Sequence, residues 1–344
     1  MTEPVRIINA VAPIRICDNG GWTDTWFAGR GKIFNIAVAP YAEVQIAVFA
    51  RDDKPHITIH AENYGDDYTL SGQAGWERHP LLEAAIARVG VAEETAVTIT
   101  IFSQAPAGAG TGTSAAVTVA LLGALDWLAE GRMSPHEVAY VAHAVETEML
   151  GQQCGIQDQL AAAYGGINLI DMTRYPQATV SQLKLREALW WELERRLALV
   201  YLGRPHRSSA VHEMVIRGLE NAGPDHPTLN KLRHTAEPAW QALATGDFAA
   251  MGTSMKHNTA LQAELHEALV SPEARQVIAI AQAHGALGWK VNGAGGAGGS
   301  LTLLCGVDSA AKRTMLREIE QENVSFQTIP ISFSRYGLRV WDSP

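Results

Sequence analysis

The sequence has 344 residues, of which 47% are hydrophobic and 18% charged, a balance typical of globular rather than disordered proteins. Its 27 basic and 36 acidic residues give a formal net charge of −9, which argues against a general nucleic-acid binder. Three widely separated cysteines exclude a disulfide scaffold, and no apolar run suits a membrane helix or a signal peptide. We therefore expect a cytoplasmic protein whose partners are neither nucleic acids nor membranes.

The first hundred residues alternate apolar and polar side chains with the period of two that is typical of half-buried strands. Strands are predicted at residues 5–10, on both sides of Pro40 within residues 32–50, and at residues 56–60 and 96–102. A short helix is predicted at residues 80–89, between the last two of these strands.

The middle of the chain changes to a helical period. Helices are predicted at residues 114–128, from Ser134 to about residue 149, and at residues 158–163, with a strand at residues 167–172. Ser134 and Glu137 have the spacing of a capping box, in which each side chain bonds the other residue's backbone N–H.

The remaining residues mix strands and helices. Strands are predicted at residues 181–185, 197–202, 301–305 and 326–333, and helices at residues 206–284 (with breaks at Pro224, Pro227 and Pro272) and 309–322. Strands and helices without regular βαβ alternation indicate the α+β class. We expect two domains, residues 1–180 and 181–344, divided within the polar stretch at residues 173–187.

A glycine-rich turn is the most specific local feature. Residues 106–114 follow a predicted strand, open a helix and include Gly108, Gly110 and Gly112. The free N–H groups and positive dipole end of a helix bind anions, and glycines let phosphate approach the backbone. A turn that merely packs the helix on a sheet is the simpler alternative.

Two other phosphate-binding turns fit the sequence less well. A dinucleotide-binding turn needs a second strand that ends in a ribose-binding acid, whereas Gly131 is followed by another helical pattern. A P-loop needs Lys-Ser or Lys-Thr after its glycines, and neither pair is present.

The turn resembles the phosphate loop of the GHMP small-molecule kinases, Pro-x-x-x-Gly-Leu-Gly-Ser-Ser-Ala-Ala. The matching residues are Pro106, Gly110, Gly112, Ser114, Ala115 and Ala116, with departures at Thr111 and Thr113.

Three further segments resemble the same family. Residues 12–15 followed by Gly-Gly-Trp-Thr-Asp at 20–24 are most similar to the fucokinase and heptose 7-phosphate kinase branch. Residues 154–159 with 164–166 resemble the aspartate segment of galactokinase and heptose kinases, and residues 290–299 resemble the family's C-terminal glycine segment. The four segments span residues 12–299 in family order. At residues 17–19 the chain has Cys-Asp-Asn where the heptose kinases carry Phe-Ala-Gly.

The resemblance implies a two-domain α+β GHMP kinase fold with ATP lying over the glycine-rich turn. The implied ATP-binding residues are Pro106, Gly108, Ala109, Gly110, Thr111, Gly112, Thr113 and Ser114. Asp158 would accept the proton of the substrate hydroxyl, although an Asp at a helix start is also a common cap. Arg15 stands at the family's basic position and would hold Asp158 ionised.

The resemblance also assigns a metal and a substrate. Ser114 and Glu146 would hold Mg²⁺, with Glu148 as the competing carboxylate. The implied substrate-binding residues are Gly21, Trp22, Thr23, Asp24, Arg207, Gly295 and Gly296. No histidine or cysteine spacing predicts zinc.

The predicted function is Mg-ATP-dependent phosphorylation of a hydroxyl, with an anomeric one favoured, of a sugar or sugar phosphate such as heptose 7-phosphate. Fucokinase or another monosaccharide or cyclitol kinase is the alternative. More distant alternatives are a decarboxylase of the same superfamily, a non-catalytic sugar or nucleotide sensor, and an NAD-linked oxidoreductase. A homodimer is compatible with the sequence.

Overall fold

The architecture combines a large mixed sheet covered by helices with a smaller antiparallel sheet and its own helices. The computed structural model describes residues 3–51, 54–71, 75–204, 208–219 and 222–344. The strands are β1 (Arg6–Asn19), β2 (Gly31–Ala50), β3 (Ile57–Ala61), β4 (Asp66–Thr69), β5 (Thr95–Ser103), β6 (Ile167–Arg174), β7 (Gln177–Gln182), β8 (Leu197–Tyr201), β9 (Gly288–Val291), β10 (Ser300–Leu304), β11 (Gln327–Ile329), β12 (Ser332–Phe333) and β13 (Arg339–Asp342). The helices are α1 (Pro80–Val89), α2 (Thr113–Leu128), α3 (Pro135–Ala144), α4 (Gln157–Tyr164), α5 (Glu187–Arg196), α6 (Ser208–Leu219), α7 (Pro227–Thr245), α8 (Phe248–Leu265), α9 (Pro272–Ala283) and α10 (Ser309–Glu322).

The large sheet is built around the long antiparallel pair β1 and β2. Its strand order is β13-β1-β2-β5-β3-β4, and β6 and β12 also pair with β2, while β7 pairs with β6. The β3–β5 pairing is parallel. The small sheet has the order β11-β8-β10-β9.

Strand β2 is continuous, so the prediction of two strands around Pro40 is wrong. The pairing of β2 with β1 passes from Tyr41 opposite Pro13 to Val38 opposite Ile14. Pro40 lies in this irregularity, where its missing N–H costs no ladder hydrogen bond. The irregularity comes one residue before Arg15.

Helix α2 is buried on nearly all sides because it lies between the large sheet and the other helices of the first half. It contacts β1, β2, α1, α3 and α4. Val119, Leu121, Leu122 and Leu125 are completely buried. A helix that is apolar all round belongs inside a core, and this burial fixes the position of the glycine-rich turn at its N-terminus.

The capping and turn signals located several elements well. Helices α1 and α10 have the predicted bounds, and Ser134 and Glu137 form the predicted capping box at the start of α3. Pro227 and Pro272 begin α7 and α9, as expected for residues that tolerate a first helical turn.

Other predictions need correction. Helix α5 was not predicted, and the strand predicted at residues 181–185 instead covers Gln177–Gln182. The single strand predicted at residues 326–333 is two strands, β11 in the small sheet and β12 in the large one. The predicted domain bounds assign β12 and the unpredicted β13 to the second domain, whereas both strands pair with strands of the large sheet. The bounds 1–180 and 181–344 stay a prediction.

Within the described ranges, no helix is long and apolar enough to cross a membrane.

Candidate active site

The glycine-rich turn alternates between ordinary and left-handed backbone. Gly108, Gly110 and Gly112 each have φ +72°, a conformation that costs glycine little and other residues more. Gly112 is the N-cap residue of α2. Because glycine has no side chain to cap the helix, the first backbone N–H groups of α2 are left for a ligand. Most of the turn lines a cavity of about 310 Å³.

The same cavity collects acidic side chains from distant parts of the chain. Asp24 follows β1, Glu146 follows α3, and Asp158 lies in the first turn of α4. Trp22 and Ala294 add apolar surface to its wall. The structure thus brings together residues from all four segments singled out in the sequence.

Arg15 and Asp158 form the central ion pair. Arg15 Nε donates to Asp158 Oδ1 at 2.8 Å, Arg15 Nη1 donates to the Gly110 carbonyl, and the Arg15 amide donates to the Thr111 carbonyl at 2.9 Å. Burial alone would lower the pKa of Arg15, but the charges of Asp158 and Asp18 raise it overall. The Arg15 side chain is only 4% exposed, whereas that of Asp158 is 30% exposed and accessible to a ligand.

Asp158 packs directly under the glycine-rich turn. A Cβ atom at Gly112 would lie 3.1 Å from Asp158 Cγ and 3.2 Å from its Oδ2. The close approach places a carboxylate beside the N-terminus of α2, where an anionic ligand would bind.

Asp24 is a buried carboxylate that faces the cavity. Its Oδ2 accepts a hydrogen bond from the Gln157 amide at 3.1 Å, and its Oδ1 accepts one from Gln157 Nε2 at 3.5 Å. A Cβ at Gly155 would lie 1.9 Å from Asp24 Oδ2, so this approach requires glycine. Burial raises the pKa of Asp24 to about 6, and the charge of Asp158 adds to the shift.

Glu146 lies in a π-helical turn, Val145–Met149, that follows α3. Such turns are rare and often occur at functional sites because they change which side chain faces inward. Glu146 is buried on the cavity wall, while Glu148 is exposed and away from it. Burial raises the pKa of Glu146 to about 7, even though Gln159 Nε2 donates to its Oε1 at 2.7 Å.

Ser114 and Glu146 fit a Mg²⁺ ion. Both line the cavity, and they offer hydroxyl and carboxylate oxygens, the donor types that Mg²⁺ prefers. A cation beside Glu146 would favour the ionised form that burial opposes. The described residues contain no cluster of three or more His, Cys, Asp or Glu side chains arranged to hold a metal. A Mg²⁺ ion here would therefore take further oxygens from a bound nucleotide and water.

A second cavity, of about 380 Å³, adjoins the first. The two cavities share Leu81, Thr113, Ser114 and Gln152 on their walls. The second is more apolar, with Tyr64 and Val117 among its lining residues. The prediction of a phosphate-binding turn did not include this cavity, because the walls beyond the turn and α2 come mostly from β3, α1 and β5, which carry no motif.

Several predicted ligand-binding residues do not lie on the cavity wall, and their roles stay predictions. Thr23 Oγ1 donates to the Gly20 carbonyl, and Gly21 packs against Asp18. Gly295 and Gly296 pack against the backbone of Leu269, whereas Gly293 and Ala294 of the same segment line the cavity.

Pro106 and Thr111 belong to the turn but also lie off the cavity wall. Arg207, predicted to bind substrate, lies outside the described residues.

Sequence reasoning assigned no role to several polar residues of the site, among them Gln157, Gln159 and Asp18. Gln157 and Gln159 flank Asp158 and position Asp24 and Glu146, respectively. Asp18 lines the cavity three residues after Arg15, and this close spacing on β1 is the signal that could have identified it.

Comparison with known proteins gives two family matches. The profile of the GHMP kinases N terminal domain matches residues 80–166, and that of the GHMP kinases C terminal domain matches residues 239–319. The first match covers the glycine-rich turn, Glu146 and Asp158, and the second covers the C-terminal glycine segment.

Individual relatives cover the whole chain or most of it. A D-glycero-alpha-D-manno-heptose 7-phosphate kinase of Campylobacter jejuni is 22% identical over 98% of this chain and 99% of its own length. A mevalonate kinase of Thermococcus sibiricus is 29% identical over 73% of this chain and 71% of its own. The crystal structure of a D-glycero-D-manno-heptose 1-phosphate kinase from Bacteroides thetaiotaomicron superposes with a TM-score of 0.74 at 22% identity, covering 97% of this chain and 98% of that one.

The family profiles match in the expected order, and the fold agrees with that of solved relatives along nearly the whole chain. Given the two-domain α+β architecture and the glycine-rich turn, the chain belongs to the GHMP kinases.

Proposed function

We propose that this chain transfers the γ-phosphoryl group of Mg-ATP to a hydroxyl of a sugar or sugar phosphate. The observation that carries the proposal is the Arg15–Asp158 pair packed beneath Gly112. The Asp158 carboxylate of this pair is accessible from the cavity and lies beside the N-terminus of α2, so it would accept the proton of a hydroxyl that attacks a phosphate bound there.

The two adjoining cavities suit the two parts of a nucleotide. The triphosphate would lie over Gly108–Ser114, where backbone N–H groups and the dipole of α2 favour negative charge. The nucleoside would occupy the apolar cavity, which meets the turn at Thr113 and Ser114. Ser114 and Glu146 would hold Mg²⁺, which would neutralise charge on the phosphates.

The acceptor would lie on the other side of the turn, between Asp24 and Trp22. Asp24 has its carboxylate held by Gln157, and it can accept hydrogen bonds from sugar hydroxyls. Trp22 is buried beside it and offers an apolar face to the C–H side of a sugar ring.

In the transfer step, Asp158 accepts the proton of the attacking substrate hydroxyl, and the oxygen of that hydroxyl forms a bond to the γ-phosphorus. The bond from that phosphorus to the β-phosphate oxygen breaks, and ADP leaves. Arg15 keeps the Asp158 carboxylate oriented and lies close enough to the turn to stabilise the charge of the moving group.

The relative from Campylobacter jejuni and the solved structure from Bacteroides thetaiotaomicron are both heptose phosphate kinases. We therefore place heptose 7-phosphate first among acceptors, with phosphorylation at the anomeric hydroxyl. Fucose and other monosaccharides or cyclitols are the second candidate class, supported by the Gly-Gly-Trp-Thr-Asp segment at residues 20–24.

The test is ADP release from Mg-ATP with fucose, galactose, glucuronate, arabinose, mannose, heptose 7-phosphate and homoserine as acceptors. We expect turnover with a sugar or sugar phosphate, and ³¹P NMR of the product should show a new phosphate ester. ATP binding without turnover on any sugar acceptor would contradict the proposal and favour the sensor alternative. Turnover on homoserine alone would keep a kinase but reject the sugar substrate.

A further inference from the structure

A buried ion pair joins the first segment of the site to the last. Lys290 Nζ of β9 lies 3.2 Å from Asp18 Oδ1 at the end of β1, and the two side chains are 0% and 1% exposed. Removing two charges from water is costly, so such a pair is weak evidence for stability by itself. The other contacts of Asp18 and Lys290 indicate a role in positioning the site.

The Asp18 carboxylate contacts both the C-terminal glycine segment and Arg15. Its Oδ1 and Oδ2 accept from the Gly293 amide at 3.2 and 3.1 Å, and its Oδ1 lies 4.0 Å from Arg15 Nη1. The carboxylate therefore stands between the catalytic guanidinium and the backbone of the C-terminal glycine segment.

Lys290 is held in a fixed place. Besides Asp18, its ammonium donates to Gln262 Oε1 at 3.0 Å and to the Val291 carbonyl. These partners hold the Lys290 ammonium beside the Asp18 carboxylate at the end of β1, and Lys290 itself is not on the cavity wall.

The glycine segment that Asp18 holds also supports the phosphate-binding turn. Ser300, which follows the segment at the start of β10, donates from its Oγ to the Ala109 carbonyl of the turn at 2.7 Å. Asn292 Oδ1 of the segment accepts from the backbone amide of Cys17 on β1 at 3.1 Å. A Cβ at Gly110 would lie 2.8 Å from the Asn292 carbonyl oxygen, so the segment and the turn are in direct contact. Movement of Gly293 would thus reach the turn.

We infer that Asp18 and Lys290 are positioning residues for phosphoryl transfer, which set the Arg15 guanidinium and the glycine turn in their reactive arrangement. The inference rests on the proposed kinase function. Neither side chain needs to touch substrate for this role. Because small misplacements of reacting groups slow the transfer step more than they weaken binding, the effect should fall on kcat rather than on KM.

The test compares Asp18→Asn, Lys290→Met and the double variant in steady-state kinetics and thermal unfolding. Each single variant leaves one buried charge without its partner and should unfold at a lower temperature than the double variant. The double variant should regain most of the lost stability yet keep kcat about 10- to 100-fold below wild type, with both KM values within about threefold.

Lys312→Met is the matched control. Lys312 is partly buried and donates to the Arg195 carbonyl at 2.7 Å and to the Leu197 carbonyl, away from the site. This variant should lose stability and keep its kcat.

A double variant with wild-type kcat would overturn the inference, as would an equal kcat loss in Lys312→Met. If the double variant does not fold, Lys290→Met alone decides, because it alters neither Gly293 nor Arg15 but removes the ammonium that fixes the Asp18 carboxylate. Wild-type kcat in this variant would also overturn the inference. Failure of the proposed function is distinguishable, since wild type itself would then show no ATP-dependent turnover.

Discussion

Arg15 connects the Asp158 carboxylate with the glycine-rich turn through a single guanidinium. Its Nε contacts Asp158, and its Nη1 contacts the Gly110 carbonyl. A planar fork can satisfy both partners at once, whereas the ammonium of a lysine is a point charge on a flexible stem.

Arg15→Gln is expected to lower kcat by about 100- to 1,000-fold, the usual cost of removing one donor that stabilises charge in the transition state. Arg15→Lys should recover only part of this loss. The control is Arg30→Gln, which removes an exposed arginine paired with Asp225. Steady-state kinetics at saturating Mg-ATP gives the comparison, and an Arg15→Gln enzyme as fast as the control would contradict the role of Arg15.

Glu146 makes stability depend on pH in a direction unusual for a carboxylate. Burial raises its pKa from 4.5 to about 7, so the folded protein holds this proton more tightly than the unfolded chain does. The contribution is therefore fully present below about pH 4.5 and is lost as pH rises through 7. At about 1.4 kcal/mol per pKa unit it amounts to roughly 3 kcal/mol.

We expect Glu146→Gln to flatten the decrease in unfolding free energy between pH 5 and 8, measured by urea denaturation. Adding Mg²⁺ and nucleotide to wild type should also flatten it, because a bound cation favours the ionised carboxylate. Glu148→Gln is the matched control, since Glu148 is exposed in the same π-helical turn. If the unfolding free energies of wild type and Glu146→Gln decrease in parallel with pH, the pH dependence does not come from Glu146.

At the junction between the glycine-rich turn and α2, the backbone conformation of one glycine determines where the Asp158 carboxylate can lie. Gly112 has a left-handed backbone, caps α2 and leaves room for the Asp158 carboxylate. A side chain at position 112 would both strain the backbone and displace the Asp158 carboxylate.

Gly112→Ala is therefore expected to lower kcat/KM by at least tenfold, in addition to a stability loss of about 1 kcal/mol from the left-handed backbone. Gly65→Ala separates the two effects. Gly65 has φ +66°, but a Cβ there would meet no atom within 4 Å. Both variants should lose similar stability, and only Gly112→Ala should lose activity. Equal kcat/KM values in the two variants would contradict the proposed contact.

At the scale of elements, the sequence predicted best where a local signal marks an end. The Ser134–Glu137 capping box and the prolines that begin α7 and α9 are local chemistry, so they were visible without the fold. Helix α5 has no side-chain cap, and its apolar face consists of little more than Trp190 and Leu193, so no strong pattern announced it.

At the scale of the molecule, pairing between distant parts of the chain was beyond local signals. Strands β12 and β13 are short, yet they return to β2 and β1 across nearly the whole sequence. In the same way, Arg15 and Asp158 lie 143 residues apart, and only the resemblance to a known family brought them together before the structure did. Lys290 begins the C-terminal glycine segment of that resemblance, but nothing in the resemblance pairs it with Asp18, so the ion pair had to be found in the fold.

The same architecture explains why the site is built from both halves. The first half supplies the glycine-rich turn at the start of α2 and the acidic residues that follow β1, follow α3 and lie in α4, and the small sheet supplies the segment containing Gly293 and Ala294. Shared contacts between turn and segment mean that the cavity is complete only when both halves are packed.

The role of Asp158 as proton acceptor is tested by the single-turnover rate of phosphoryl transfer from γ-labelled ATP to the accepted sugar, in wild type and Asp158→Asn. Asp225→Asn, at an exposed carboxylate outside the cavity, is the control. Losing a general base costs about 100- to 10,000-fold, so we predict a loss of at least 100-fold in Asp158→Asn with ATP binding retained, and no loss in the control. Transfer at the wild-type rate in a folded Asp158→Asn enzyme would contradict the account.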